Sequence, residues 1–331
     1  MIMKNKTKLL ASSFFLIGIL PLLMGCNTAR KASQFRLMMK DDYCVSNINA
    51  GFKEIEPSFT NPDSLLKNDS VLSSRFSKNE ILVANATGMV PLIKQLLITQ
   101  NNGSAGAMAA GLELRQQLTE KELRVKSVFD ELQSELSCET ERTKRAAGYL
   151  DGYEKKRTNN LTIGAIFAGS ATTVAPVFVK SSTPQNTIVI GGAIVSAYLG
   201  ARLLQAGHNK VDFTYQRNLI SDIWTAPKVS TQYPKFIWQL MNRKELNIGD
   251  NNLSIQQNIK KRWLGIELNG AAKHTLELLF NKGGSYSEDD LQTRSVLLGQ
   301  LQQSVSLLNS NVQLYLLAIQ RKLNAQNEPA K

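Results

Sequence analysis

The sequence predicts a mainly α-helical, elongated fold: a helical bundle or antiparallel coiled coil that carries a small-residue-rich hydrophobic helical hairpin. Three observations lead there. From near 107 to about 158, apolar residues (Leu118, Val125, Phe129, Leu132, Leu136, Ala146, Leu150, Tyr153) recur at steps of three, four or seven. In 287–323 a second apolar series alternates threes and fours. Between them stand two uncharged stretches, 161–179 and 187–201.

In chain order, residues 26–104 read as an N-terminal tether with short helices. The turn formers Asn47, Asn49, Gly51, Pro57, Asn61, Pro62 and Asp63 interrupt any sustained period. The segment 81–100 is more apolar, and a turn-forming run at 101–106 closes it. Residues 105–331 form the elongated helical domain. Its first helix meets no proline over about 50 residues, which at 1.5 Å per residue is about 75 Å, too long for the middle of a compact globule. The region 208–280 mixes short helices with turns around Pro227, Pro234 and Gly249.

The last helix begins where Ser287 and Asp290 make a Ser-x-x-Asp start signal. Leu291, Leu298, Leu301, Val305, Leu308, Val312, Tyr315 and Ile319 then form a coiled-coil seam, which needs a partner helix. The long central helix, running antiparallel, is the economical partner; self-association between chains is the alternative.

The hydrophobic hairpin spans 161–204. Small residues repeat every fourth position, as Gly164, Ala168 and Thr172, as Ala165, Gly169 and Thr173, as Gly192, Ser196 and Gly200, and as Ala193, Ala197 and Ala201. Such ladders leave a smooth strip on which two helix backbones approach closely. Pro176 is expected to kink or end the first arm, and Arg202 cuts the second short. Three readings stay open: a dry hairpin inside a bundle, a hairpin that inserts in a membrane, and one that docks on another membrane protein. Lys155, Lys156 and Arg157 stand before it and Lys180 in its tip.

The chain opens with Lys4, Lys6 and Lys8, an apolar stretch over 9–20, and Leu23-Met24-Gly25-Cys26. That order is a secretory signal, and its apolar stretch is shorter than the roughly 20 residues of a spanning helix. Residues 1–25 are thus expected to be removed. The closing box resembles the lipobox of bacterial lipoproteins. The resemblance implies cleavage before Cys26, acylation of its thiol with membrane lipid (palmitate among the chains), and, with Asn27 rather than Asp behind it, the outer membrane facing the periplasm.

The net charge is +12, and about +9 without the leader. In an envelope such charge suits lipid headgroups or acidic polymers, or is only a solvated surface; nucleic acid is a poor candidate for an exported chain. With Cys26 acylated, Cys44 and Cys138 remain, and an oxidising compartment makes a disulfide between them the natural expectation.

Chemistry is sparse. His208 and His274 have no second ligand at metal spacing, and phosphate-loop, nucleophile-elbow and zincin motifs are missing. Glu139 with Glu141 reads as solvated ion pairing among Arg142, Lys144 and Arg145, and Asp289 with Asp290 as helix-start acids. Lys260-Lys261-Arg262-Trp263 and Lys235-Phe236-Ile237-Trp238 suit either a membrane interface or, more often, a core aromatic beside wet charges. The expectation is a non-catalytic structural or assembly component of the cell envelope, without cofactor, metal or small-molecule substrate, acting through an envelope protein partner or self-association. The alternative is a pore-forming or membrane-inserting protein that uses 161–204.

Overall fold

The computed structural model describes residues 39–40, 42–45, 55–59, 61–100, 104–178, 209–247 and 252–325, with side chains except at 157 and 161–178. The fold is 73% helical and 4% strand, with ten helices among the described residues. In chain order these are α1 (Pro62–Asn68), α2 (Ser70–Arg75), α3 (Lys78–Ala86), α4 (Val90–Gln100), α5 (Ala105–Phe178), β1 (Val211–Thr214), α6 (Ser221–Thr225), α7 (Lys235–Met241), a 3-10 turn (Lys244–Leu246), α8 (Ile255–Gly265), α9 (Lys273–Phe280), β2 (Gly283–Tyr286) and α10 (Glu288–Asn324).

Local chemistry sets the starts. Ser287 accepts from the Asp290 backbone N–H while the Asp290 carboxylate takes the Ser287 N–H, the reciprocal cap expected at the last helix. Ser77 with Glu80 and Ser254 with Gln257 repeat the device at α3 and α8. Between α3 and α4 the chain bends by 116°. Gly88 makes that bend with φ +69°, and a Cβ there would meet the Glu56 carbonyl oxygen at 2.6 Å. Only glycine serves both needs.

α5 and α10 are the long axis, and they run antiparallel. Arg115 donates to the Leu323 carbonyl (3.3 Å), Gln320 to the Glu122 carboxylate, and Ser295 to the Thr140 carbonyl (3.4 Å), while Glu288 lies within electrostatic reach of Asp151, Glu154 and Lys155. The seam of α10 buries Leu291, Leu298, Leu301, Val305, Leu308, Val312, Leu316, Ile319 and Leu323. Tyr315 is only half-buried; the seam passes through Leu316 beside it, and the Tyr315 hydroxyl accepts from Asn79 (3.0 Å). From α5 come Leu118, Val125, Phe129, Leu132, Leu136, Ala146 and Leu150. Tyr153 belongs to the same periodic series yet is 53% exposed, because α10 begins opposite it.

The helix predicted to stop near 158 does not stop. α5 holds 74 residues, about 110 Å at 1.5 Å each, and its described part passes Pro176. Thr158, Asn159 and Asn160 are weak helix formers, but nothing among them breaks a helix.

The shorter helices close over one flank. Their core is continuous with that of the long pair, so Leu65, Leu72, Phe76, Ile81, Ile93 and Leu96 pack in the same cluster as Phe129 and Leu301. The turn near 104 is therefore not a boundary in the packing. Phe129 meets Phe236 edge-on at 5.5 Å, and Phe280 stacks between Trp224 (4.4 Å) and Trp263 (6.2 Å). Trp238 and Trp263 are core residues, which removes both basic–aromatic runs from the membrane-interface reading. The two-stranded antiparallel sheet β1–β2, with Val211 opposite Tyr286 and Thr214 opposite Gly283, stands where only turns and helices were expected. Gly283 is needed there: its φ is +94°, and a Cβ would sit 2.4 Å from the Phe213 carbonyl oxygen across the ladder.

Candidate functional site

The first described residues are fastened to the middle of α5. Cys44 and Cys138 are joined by a disulfide, S–S 2.06 Å and Cα–Cα 5.6 Å, as their composition and expected compartment suggested. One helical turn on, the Arg142 guanidinium donates to the Lys40 carbonyl (3.1 Å), to the Thr214 carbonyl of β1 (2.8 Å) and to the Glu139 carboxylate (3.1 and 3.2 Å). It also lies 4.1 Å from the centre of the Phe213 ring. Arg142 is 1% exposed and Glu139 4%.

The sequence reading of solvated ion pairing therefore needs correction at this place. Glu141 and Arg145 do form an exposed i,i+4 pair (2.8 Å), but Glu139 and Arg142 are an interior pair. The physical reason is position: 139, 142 and 143 continue the buried stripe of Leu132 and Leu136. A buried guanidinium is tolerable only because neighbours satisfy it so fully, and removing one partner is costly. Nearby, Arg217 grips Glu135 with Nε at 3.0 Å and Nη2 on the second oxygen. Burial pushes the Glu135 carboxyl upward, and the Arg217 charge pulls partly back.

A second buried arginine organises the chain that leaves β1. Arg294, fully enclosed at the start of α10, donates to Asn218 Oδ1 (3.2 Å) and the Leu279 carbonyl (3.1 Å), with its guanidinium carbon 3.8 Å from the Tyr215 ring centre. The hydroxyls of Tyr215 and Tyr286 are 3.2 Å apart, and Tyr286 donates to the Leu278 carbonyl (2.7 Å). Burial raises the Tyr286 hydroxyl well above its usual range, so it stays a proton donor. These groups tie β1, α9, β2 and α10 together. Enclosed as they are, they serve the fold.

Three features face outward. α5 leaves the bundle after Asp151: Gly152, Tyr153, Lys155, Lys156, Thr158, Asn159 and Asn160 are all exposed, and the helix then continues through 161–178, which contain no charged residue. Gly164, Ala168 and Gly169 lie on this part of α5, whose side chains are outside the description; Cys26, Gly192, Ser196 and Gly200 lie outside the described residues altogether. Next, a cleft of about 340 Å³ opens between the 3-10 turn, α8 and α10. Among the described residues, amides (Asn247, Asn258, Asn311), Ser304, Arg262 and aliphatic side chains line it, with no carboxylate, histidine or cysteine. Last, the outer face of α10 exposes Leu307, Leu314 and Leu317.

His274 is exposed on α9, and no group of three or more metal-ligating side chains occurs among the described residues. No single helix among the residues with described side chains is long and apolar enough to cross a membrane. The bent pair α3–α4 qualifies only jointly, and its apolar side chains are largely core. Sequence reasoning missed both buried arginines, although Arg294 falls three residues after Leu291 and four before Leu298, on the seam itself. That spacing was the available signal. No family model, no curated protein and no solved structure matches this chain.

Proposed function

We propose that the protein is a lipid-anchored, non-catalytic structural or assembly component of a bacterial cell envelope, acylated at Cys26 and held at the periplasmic side of the outer membrane. The observation that carries this reading is the clamp of Cys44 and Lys40 onto the middle of α5. A disulfide is at home in an oxidising compartment. Its placement passes any pull on the N-terminus directly into the longest helix, and from there into α10 through their shared seam. The uncharged 161–204 region and the helix pair then supply reach and docking surface for an envelope protein or a further copy.

The test is fractionation of cells producing the wild type or Cys26→Ala, with protease added to intact cells and then to opened envelopes. The reading expects outer-membrane recovery of the wild type, protection until the envelope is opened, and release of Cys26→Ala. Soluble wild type, or protease sensitivity on intact cells, would sink it.

A second reading is favoured by one specific observation, the continuation of α5 beyond the bundle into a stretch without charges. By covalent geometry the stretch from Cys26 to Cys44 spans at most about 60 Å. Leu161 lies about 35 Å along α5 from Cys138, so acyl chains and uncharged helix can meet one bilayer. In this reading 161–204 inserts and oligomerises into a pore. Dye release from liposomes is then expected, with loss of release at unchanged helicity in Ser196→Arg; absence of release by the wild type rejects insertion. If 161–204 is core instead, Ser196→Arg unfolds the protein, because an unpaired buried charge is costly.

A further inference from the structure

We infer that the cleft between α8, α10 and the 3-10 turn is a binding site for the end of a polypeptide, taking a free C-terminal carboxylate and the apolar side chain next to it. Two helix faces make the cleft. Ile255, Asn258, Ile259 and Arg262 share one face of α8, and Ser304, Leu308 and Asn311 share one face of α10. Positions at that spacing between packed helices normally carry apolar residues. Here amides and a guanidinium take several of them, around a space of about 340 Å³ that falls within the range of ligand sites. The innermost lining stays apolar: Leu246, Ile259 and Leu308 are 2%, 3% and 1% exposed.

Charge and hydrogen bonding select the occupant. Arg262 carries the lining's one charge among the described residues. Its Nε donates to Gln300 Oε1 (3.1 Å), and Gln300 donates in turn to the Glu267 carboxylate, which does not line the cleft. One nitrogen is thus used to orient the guanidinium, and the two terminal nitrogens keep the fork that a carboxylate accepts in bidentate fashion. Neither the Asn258 nor the Asn311 side-chain amide has a hydrogen-bond partner among the described residues. A fatty acid would satisfy Arg262 and leave both amides bare against its chain. A peptide satisfies all three, because each residue adds an N–H and a C=O, the complement of what an Asn side chain offers. The inference goes beyond the envelope reading and does not depend on acylation of Cys26.

The probe is the tripeptide N-acetyl-Ala-Ala-Leu, as free acid and as C-terminal amide, titrated calorimetrically into the full chain. The free acid is expected to saturate the protein with Kd below about 1 mM, and amidation to weaken it at least about tenfold, the effect of losing a charge-assisted hydrogen bond. Hexanoate, a carboxylate without peptide groups, should also bind at least about tenfold more weakly than the free acid. Arg262→Gln should bring the acid down to the affinity of the amide. Arg262 is exposed, so the Tm of this variant should stay at the wild-type value. Asn258→Leu combined with Asn311→Leu should weaken the free acid at least about fivefold while helicity is kept. Absence of binding, equal affinity for acid and amide, or an acid preference that survives Arg262→Gln would each overturn the proposal. So would hexanoate binding as tightly as the peptide, or unchanged affinity in the double asparagine variant.

Discussion

Along α5, Val125, Phe129, Leu132 and Leu136 are fully buried against α10 and its neighbours, whereas Gly152, Tyr153, Lys155, Lys156, Thr158, Asn159 and Asn160 are exposed. The same helix therefore owes its conformation to two different sources. In the paired region each buried Val, Leu or Phe contributes about 1.5–3 kcal/mol, so tertiary packing holds the helix. From Gly152 to Asn160 the described side chains are mostly exposed, so conformation there rests mainly on propagation from the turn before, which for side chains such as Thr158, Asn159 and Asn160 is close to neutral. Rigidity and responsiveness are thus divided along one continuous element. The firm half carries the clamp to the N-terminus; the half that leaves the bundle carries the uncharged segment.

That contrast can be broken or sharpened by experiment. The largest effect is expected from replacing Cys44 and Cys138 together with alanine. Their bond closes a loop with a sequence separation of 94, and loop-closure entropy puts its contribution at about 4–5 kcal/mol. Urea denaturation reads this directly, and a loss below about 1 kcal/mol would mean that the clamp does little to constrain the unfolded chain. Phe129→Ala follows. It empties a fully buried site that also touches Phe236, and should cost about 3–5 kcal/mol in the same assay.

Glu122 tests the seam through pH. Burial beside α10 raises its carboxyl from 4.5 to about 7, against the opposing effect of the Gln320 hydrogen bond. A carboxyl raised by folding binds its proton more tightly in the folded state, so its contribution to stability is most favourable below pH 4.5, declines between 4.5 and 7, and is fully lost above 7. Glu122→Gln removes that loss. The variant should match wild type near pH 4 and exceed it at pH 8 by about 1 kcal/mol, a figure reduced from the full shift because the group is half-exposed. Equal stability at pH 8 would show that water reaches the carboxylate. The smallest effect belongs to the outlying half: Tyr153→Ala should change stability by less than about 0.5 kcal/mol. Amides from 152 to 160 should exchange faster than those of Val125, Phe129 and Leu132. Equal protection would mean that another element covers this half and would erase the contrast.

Much of this architecture can be read from residue spacing. The alternating series from Leu291 to Ile319 predicts a seam and an intrachain partner, and α5 supplies that partner antiparallel, because apolar residues at heptad spacing have few other ways to leave water. Ser287 with Asp290 marks the helix start correctly, since a capping box is purely local. The failures share a different character. Tyr153 continues the periodic series yet is exposed, and Tyr315 yields its place to Leu316. In both cases the period is right and the extent of the neighbour decides. The β1–β2 ladder joins four-residue strands from distant parts of the chain, too short for a pattern. At the clamp, the two cysteines were legible by elimination, while Arg142 was read as wet because arginine is rarely enclosed.

The sequence by itself determined what depends on neighbours along the chain: helical periodicity, capped starts, glycine at bends, the uncharged stretches, and a cysteine pair suited to an oxidising compartment. Only the tertiary structure decided which charges go inside, where α5 parts from α10, and which face of α10 stays uncovered. The physical reason is that burial is a property of the space between elements. A guanidinium at 142 or 294 is interior only because carbonyls, a ring and, at 294, an amide from other segments arrive together around it, joined at 142 by the Glu139 carboxylate of the same helix.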